Sequence, residues 1–187
     1  MNSLSVYLDR WVILDGNYGE FSVGAEGLIP LDFYPHELKL TTPGKPHYET
    51  IEPGLYAATG KVVYAAHGTH ATDRRGQRIT CAGSVWVVDF GVLAYRESSG
   101  VPPDASVGSW VRGTVAFGVD PYRFREYYRY VPGFPDIHSR LRIRQVLRRM
   151  KDSETLESVE STNSSDDSEI WYVIECELLD DKSDTGP

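Results

Sequence analysis

The residues best suited to chemistry in this sequence are two histidines in the stretch HGTH. His67 and His70 carry imidazole nitrogens of the kind that ligate metal ions. Asp73 and Cys81, a short way further along the chain, would supply an oxygen and a sulfur ligand. Zinc needs three or four such ligands in a fixed arrangement, and two histidines in a glycine-containing loop supply only half of that set. We therefore favour a surface loop, and we expect no metal ion or other cofactor.

No motif for nucleophilic or metal-dependent catalysis is present elsewhere in the chain. The sequence lacks G-x-S-x-G and H-E-x-x-H, and its ATGKVV stretch lacks the second glycine and the hydroxyl residue of a phosphate-binding loop. Carboxylates are scattered, and nothing in the sequence brings two of them together. A small enzyme with an unrecognised site is one alternative. Because no acid, base and nucleophile form a constellation, we expect a non-enzymatic protein.

A second group of chemically capable residues interleaves aromatic rings with arginines. Its members are Tyr122, Arg123, Arg125, Tyr127, Tyr128, Arg129, Arg140, Arg142 and Arg144. Aromatic faces that stack on bases, together with guanidinium groups that contact phosphates, bind single-stranded nucleic acid. The same residue types carry much of the binding energy of protein interfaces. A purely structural role, with the tyrosines packed over the fold and the arginines in solvent, is a third interpretation.

The net charge of -8 conceals a strong asymmetry along the chain. Residues 1–151 hold 18 basic and 15 acidic side chains, a net charge of +3, whereas 152–187 hold one basic and 12 acidic, a net charge of -11. Within the first part, 123–151 hold nine basic and two acidic side chains, a net charge of +7. The stretch 151–169 is rich in Ser, Thr and acids, which predicts a disordered acidic loop. That loop either keeps the protein soluble or lies across the basic segment and competes with anionic ligands.

The elements that would position these residues are β-strands. Alternating apolar and polar residues, punctuated by turn residues, predict strands over 5–14, 19–24, 55–66, 79–97, 109–120, 137–147 and 170–181. Because Asp15-Gly16 is a typical hairpin turn, we expect the first two of these strands to pair. The stretch between Asp120 and Ile137 contains several prolines and predicts no more than a short helical turn.

The last two strands predict a terminal hairpin. Arg140, Arg142 and Arg144, which we call the arginine row, alternate with apolar residues, as do Glu175 and Glu177 in the final strand. If the two strands pair antiparallel, the arginine row faces the glutamates. Opposite charges across strands stabilise a sheet by about 0.2–1 kcal/mol each. The simplest role of the arginine row is therefore an ion-paired strand face.

Three stretches resemble the central strands of RNA-binding OB-fold domains of the ribosomal-protein type: TGKVVYAAHGT, SVWVVDFGVLAYRE and VGSWVRGTVAFGVD. The VVDFGV run is similar to their third strand, in which a glycine lets the strand bend, and VGSWVRGTV is similar to their fourth. The resemblance covers about residues 58–120. It implies a small antiparallel β-barrel whose binding face would carry Tyr64, Trp86 and Phe90 for stacking. The first 50 residues and the terminal hairpin are additions, and a generic barrel of six to eight strands is the alternative.

These observations predict an all-β protein with one OB-like antiparallel β-barrel domain over 1–181. The terminal hairpin would close the barrel, with the acidic loop 151–169 inside it and a tail at 182–187. No signal peptide or membrane-spanning stretch is visible, so we expect a cytoplasmic protein with no membrane contact. We expect an interaction module that binds a protein partner, and an inhibitor or immunity type would fit this size and charge. The alternative is a single-stranded nucleic-acid-binding module that its acidic loop regulates. We rank it second because a protein with a net negative charge repels phosphate groups.

Overall fold

In a computed structural model, the described part of the chain forms one mixed sheet of ten strands with few helices. The structure describes residues 3–14, 18–72, 76–97, 101–120, 123–150, 155–162 and 170–179. The strands are β1 (Ser3–Asp9), β2 (Glu26–Thr41), β3 (His47–Glu52), β4 (Leu55–Thr72), β5 (Arg78–Asp89), β6 (Leu93–Glu97), β7 (Trp110–Val119), β8 (His138–Met150), β9 (Leu156–Val159) and β10 (Ile170–Leu178). The helices are α1 (Arg10–Leu14), α2 (Arg123–Glu126) and a 3₁₀ turn at Tyr128–Tyr130. Within the described ranges, no helix is long and apolar enough to cross a membrane.

Hydrogen bonds between neighbouring strands close a ring through eight of the strands. The neighbours run in the order β4, β5, β6, β2, β8, β10, β1 and β7, and β7 pairs with β4 again. β2 also pairs with β7, while β3 and β9 extend the sheet from β4 and β8. Most pairs are antiparallel, but β1 with β7 and β2 with β6 are parallel. The sheet is therefore mixed, with antiparallel pairing, as predicted, for most of its strands.

The main hydrophobic cluster is built from one face of the strands, which we call the inner face. In β1, Leu4, Val6 and Leu8 are buried in this cluster, while the residues between them point to the opposite, outer face. In β7, Val115 and Phe117 follow the same rule. This is the period of two that an extended chain imposes on its side chains. The alternation read from the sequence therefore identifies the core face correctly.

A second hydrophobic cluster covers part of the outer face of β4, β5 and β6. The segment 123–137 folds over these strands, and its Phe124 and Tyr128 pack in one cluster with Val87 and Tyr95. The prediction of a short helical turn between Asp120 and Ile137 is confirmed by α2 and the 3₁₀ turn. The aromatic residues of this segment therefore serve as a small second core.

The predicted hairpin between 5–14 and 19–24 is wrong. β1 pairs with β10 and β7 instead, and the second stretch forms a bridge to Ser161. The chain leaves β1 through α1, where Val12 and Ile13 are both buried in the main cluster. Neighbouring residues of a strand point to opposite faces, so a strand would have exposed one of the two. A helical turn buries both.

The polar stretch predicted as a loop over 67–78 is mostly strand. β4 continues to Thr72, with register shifts that include one between His67 and Thr69. Gly68 lies between them with φ +63°, the left-handed conformation that a β-bulge commonly uses. The long run predicted over 79–97 is divided into β5 and β6 by a turn at 90–92.

The acidic segment 151–169 is ordered in part, so the prediction of a disordered loop is wrong for 155–162. β9 pairs antiparallel with β8 and adds a strand to the sheet. Thr162 is fully buried, and its hydroxyl accepts a hydrogen bond from the backbone N–H of Phe21 at 2.9 Å. Val159 packs, partly buried, against the main cluster, an apolar contact that the polar composition of the segment concealed. Outside the described residues lie the predicted tail 182–187 and the rest of the segment, 151–154 and 163–169.

Candidate binding cleft on the outer face of the sheet

A cleft of about 450 Å³ opens where β1, β2, β7 and β10 meet α1. It is lined by Tyr7, Leu8, Asp9, Val12, Tyr34, His36, Ala116, Val119 and Trp171. Three of these residues are aromatic, and the side chains of Tyr34 and Trp171 are 43% and 47% exposed. The volume and the largely apolar lining are typical of sites that bind a ligand or a side chain of a partner.

Strand alternation places the three aromatic rings on the outer face. Each ring has a neighbour along its strand that is buried in the main cluster, so the ring itself points outward. In the strand register, Tyr7 pairs with Gly118 and Tyr34 pairs with Ala116. Because Gly118 has no side chain, the Asp32 carboxyl group and the Tyr34 ring pack against it, and the small side chain of Ala116 lines the cleft. Trp171 on β10 completes the opposite wall.

Two arginines lie against the aromatic walls. The guanidinium carbon of Arg96 lies 4.9 Å from the ring centroid of Tyr34, and that of Arg149 lies 5.3 Å from the ring centroid of Trp171. Cation–π contacts contribute about 0.5–1 kcal/mol at exposed sites, and they restrain both groups. The cleft therefore combines aromatic surface with positive charge at two of its walls.

A buried carboxyl group holds Tyr34 in position. The Tyr34 hydroxyl donates a hydrogen bond to Asp32 Oδ2 at 2.7 Å. Burial raises the pKa of Asp32 to about 7; the hydrogen bond from Tyr34 opposes the rise, and the nearby Asp120 adds to it. Burial and the adjacent carboxyl group also raise the pKa of Tyr34, which therefore remains a hydroxyl donor at neutral pH.

A second buried carboxyl group connects this region to the 123–137 segment. Asp120 is fully buried and accepts hydrogen bonds from the Tyr95 hydroxyl at 2.5 Å and from the backbone N–H of Phe124 at 3.0 Å. Its own backbone N–H donates to the carbonyl of Pro30 at 2.9 Å. Asp120 therefore ties the start of α2 to β6 and to β2, which is the strand that carries Asp32.

No protein-family model matches this sequence, and searches of curated proteins and of solved structures find no match either. Function is therefore inferred from the geometry of the cleft and its surroundings.

The arginine row faces the protein's own carboxylates, which confirms the predicted terminal hairpin. Arg142 donates from Nε to Glu26 Oε1 at 2.8 Å and lies 3.3 Å, Nη1 to Oε2, from Glu177. Arg144 also pairs with Glu177, and Arg140 Nη2 lies 3.6 Å from Glu26 Oε2. The hydrogen bond from Arg142 lowers the pKa of Glu26. Glu26 belongs to β2, and the sequence alone did not identify it as a partner.

Three of the predicted binding aromatics are buried in the protein's own cores. Phe90 is fully buried, with ring centroids 5.3 Å from Phe33 and 5.7 Å from Phe117. Tyr127 and Tyr128 are buried in the second cluster, where their rings pack edge-on at 4.8 Å. Core packing therefore occupies all three rings.

The other predicted binding residues are dispersed, and those that the structure describes do not line the cleft. Tyr64 packs against Phe134 at 5.0 Å between ring centroids, and Trp86 packs partly buried against the main cluster. Arg129 is exposed and lies over the ring of Tyr130 at 5.3 Å. Outside the described part of the chain lie Tyr122 and the side chains of Arg123 and Arg125.

The two histidines of HGTH lie on β4 and make contacts to hydroxyl groups on β5. His67 Nδ1 lies 3.0 Å from Ser84 Oγ, and His70 Nδ1 lies 3.0 Å from Thr80 Oγ1. Among the described side chains, no group of three residues of metal-ligating type comes together. Asp73 and the side chain of Cys81 lie outside the described residues.

Sequence reasoning missed the cleft, although part of its signal was present. Tyr7, Tyr34 and Trp171 occupy outward positions in alternating strands, which can be read from the sequence. Their proximity depends on β1 and β2 both lying beside β7, and on Trp171 pairing with Asp9. These long-range pairings leave no local trace in the sequence.

Proposed function

We propose that this protein is a non-enzymatic interaction module that binds a protein partner at the aromatic cleft. The observation that carries the proposal is the convergence of Tyr7, Tyr34 and Trp171 around an open volume of about 450 Å³. Tyr and Trp supply a large share of binding energy in protein interfaces when a partner excludes water from them. Asp32 is not among the cleft-lining residues, so its carboxyl group is not placed to touch a reacting atom of a bound molecule.

The partner that fits this cleft presents a large apolar side chain with a carboxylate beside it. Val12 and Ala116 extend the apolar surface between the aromatic walls. Arg96 and Arg149 place positive charge at two walls, and a carboxylate of the partner would complement it. Charge complementarity of this kind favours association and selects among partners of similar shape.

Photo-cross-linking tests the proposal in cells of the natural source. We expect benzoylphenylalanine placed at Trp171 or at Tyr34 to form an adduct with the same partner protein. Leu28 is the matched control, because it is 63% exposed on β2 and does not line the cleft. Equal adduct formation from Leu28, or none from the cleft positions, would contradict the proposal. An enzyme as the captured partner, with its activity lost in the complex, would establish the inhibitor type.

Single-stranded nucleic acid is the alternative partner, and the arginine row was its expected phosphate contact. Arg142 and Arg144 donate to Glu26 and Glu177, so a phosphate would have to displace these carboxylates. The ion pairs therefore favour a protein partner over nucleic acid on this face.

We expect labelled single-stranded DNA and RNA to show no salt-sensitive binding to the wild-type protein in fluorescence anisotropy. Glu26→Gln combined with Glu177→Gln removes the paired carboxylates, and it should create binding that weakens steeply with salt as freed arginines neutralise phosphates. Glu49→Gln combined with Glu52→Gln makes the same change of charge on the exposed strand β3 and should not do so. Steeply salt-dependent binding by the wild type would instead support the nucleic-acid module.

We also propose that the ring of strands is an OB-like β-barrel that the terminal hairpin closes. β5, β6 and β7 lie within 58–120, together with most of β4, and the pairing of β7 with β4 supports closure over this region. The pairing of β8 with β10 supports a closing hairpin. An experimental structure tests this assignment by showing whether these strands form a continuous wall around the main cluster.

A further inference from the structure

Asp32 is a buried acid whose hydrogen bonding is only half satisfied. Its Oδ2 accepts the hydrogen bond from Tyr34, whereas its Oδ1 has no hydrogen-bond partner among the described residues. A buried oxygen without a partner is unfavourable, and more so when it carries charge. The geometry therefore favours the neutral carboxylic acid, because on ionisation the Oδ1 atom would carry negative charge without a hydrogen-bond donor among the described residues.

The neighbouring groups give this charge little compensation. The charged and titratable groups that act on Asp32 or its partner Tyr34 are Tyr95 and Arg96 on β6, Asp120 after β7, and Asp9 on β1. Arg96 opposes the effect of burial on Asp32, while Asp120 reinforces it. Burial dominates, and the pKa of Asp32 is raised to about 7.

Ionisation of Asp32 would reach the cleft through Tyr34 and Gly118. A Cβ atom added to Gly118 would overlap Asp32 Oδ1 and lie 2.8 Å from Tyr34 Cε2. The carboxyl group, the ring and the glycine are therefore closely packed, and the Oδ1 atom of Asp32 is buried from solvent. To hydrate Oδ1, the ring of Tyr34 must move away from Gly118, and that ring is a wall of the cleft.

We propose that binding at the cleft is regulated by a proton on Asp32, which rests on the cleft being the binding site proposed above. With Asp32 neutral, Tyr34 packs over Gly118 and the cleft accepts an apolar side chain. With Asp32 ionised, water is drawn to the carboxylate, Tyr34 shifts and the affinity falls. Asp32 ionises near neutral pH, so a modest change in pH alters the occupancy of the cleft.

The test uses the full chain and N-phenyl-1-naphthylamine, an uncharged aromatic probe whose fluorescence rises in an apolar site. We expect the affinity for the probe to fall by about fivefold or more between about pH 6 and about pH 8.5, a typical size for coupling between two sites. Trp171→Ala should weaken probe binding at both pH values, because Trp171 forms a wall of the cleft.

Three variants assign the effect to one group. Asp32→Asn keeps an acceptor for Tyr34 and cannot ionise, so its affinity for the probe should be the same at both pH values. Asp9→Asn and His36→Asn change titratable groups that line the cleft. Both should retain the fall in affinity that the wild type shows.

An equal affinity of the wild type at both pH values would overturn the inference, and so would a persistent fall in Asp32→Asn. A fall that disappears in His36→Asn or Asp9→Asn would assign the effect to those groups and overturn it as well. None of these results bears on whether benzoylphenylalanine at Trp171 or Tyr34 cross-links a partner protein, so the proposed function would still stand. Conversely, pH-dependent probe binding without any cross-linked partner would overturn the proposed function and support the proton-regulated cleft.

Discussion

Replacing Asp32 with asparagine is expected to change the pH dependence of stability by about 4 kcal/mol, because each pKa unit is worth about 1.4 kcal/mol. Burial raises the pKa of Asp32 to about 7 from an ordinary value of 3.8. Between these two values the folded protein holds a proton that the unfolded chain has released. The free energy of unfolding therefore falls as the pH rises through this window, and it levels off above about pH 7.

The Asp32→Asn variant has no proton to lose, so it lacks this fall. Relative to the wild type, its free energy of unfolding should increase by about 4 kcal/mol between about pH 4 and about pH 8. Denaturant unfolding at the two pH values measures the difference. Asp104→Asn makes the same change at an exposed position and should follow the wild type. A relative gain below about 1 kcal/mol would show that Asp32 is not buried in its acid form.

Gly113→Ala is expected to lower the free energy of unfolding by about 3 kcal/mol or more, at the upper end of overpacking effects. Gly113 lies in β7 between Leu38 of β2 and Ala58 of β4. A Cβ atom there would overlap the carbonyl oxygen of Glu37 and lie 2.7 Å from its carbonyl carbon. Backbone atoms cannot rotate away as a side chain does, so the pairing of β2 with β7 would have to separate.

Gly27→Ala is the matched control for this substitution. Gly27 lies in β2, and a Cβ atom there would have no atom of another part of the chain within 4 Å. Its free energy of unfolding should stay within about 0.5 kcal/mol of the wild type, as for most surface substitutions. Denaturant unfolding compares the two variants. Equal stability of Gly113→Ala and the wild type would contradict the register of β2 on β7.

The faces of the strands could be predicted from the sequence because alternation is a local property. In the final strand, Ile174 and Cys176 are buried while Glu177 reaches the arginine row, as the pattern predicted. The hairpin of β8 with β10 followed from the complementary charges of the two strands. The second cluster was anticipated in outline, since Tyr127 and Tyr128 pack over the sheet as the structural interpretation allowed.

The long-range pairings could not be predicted, because no local pattern encodes them. Glu26 reaches Arg142 only because β2 lies beside β8. Asp32 was an inconspicuous acid in a strand, and its burial depends on β6 and β7 lying on either side of it. Phe90 looked like an exposed ring in a bending strand, but the turn after β5 directs it into the main cluster.

Titration calorimetry with the partner captured from Trp171 tests the central claim, that the aromatic cleft is the binding surface. We expect Trp171→Ala to weaken the affinity by about tenfold or more, which corresponds to about 1.4 kcal/mol of binding free energy. Leu28→Ala, which removes a more exposed apolar side chain outside the cleft, should change the affinity by less than about twofold. Equal affinities of Trp171→Ala and the wild type would contradict the claim.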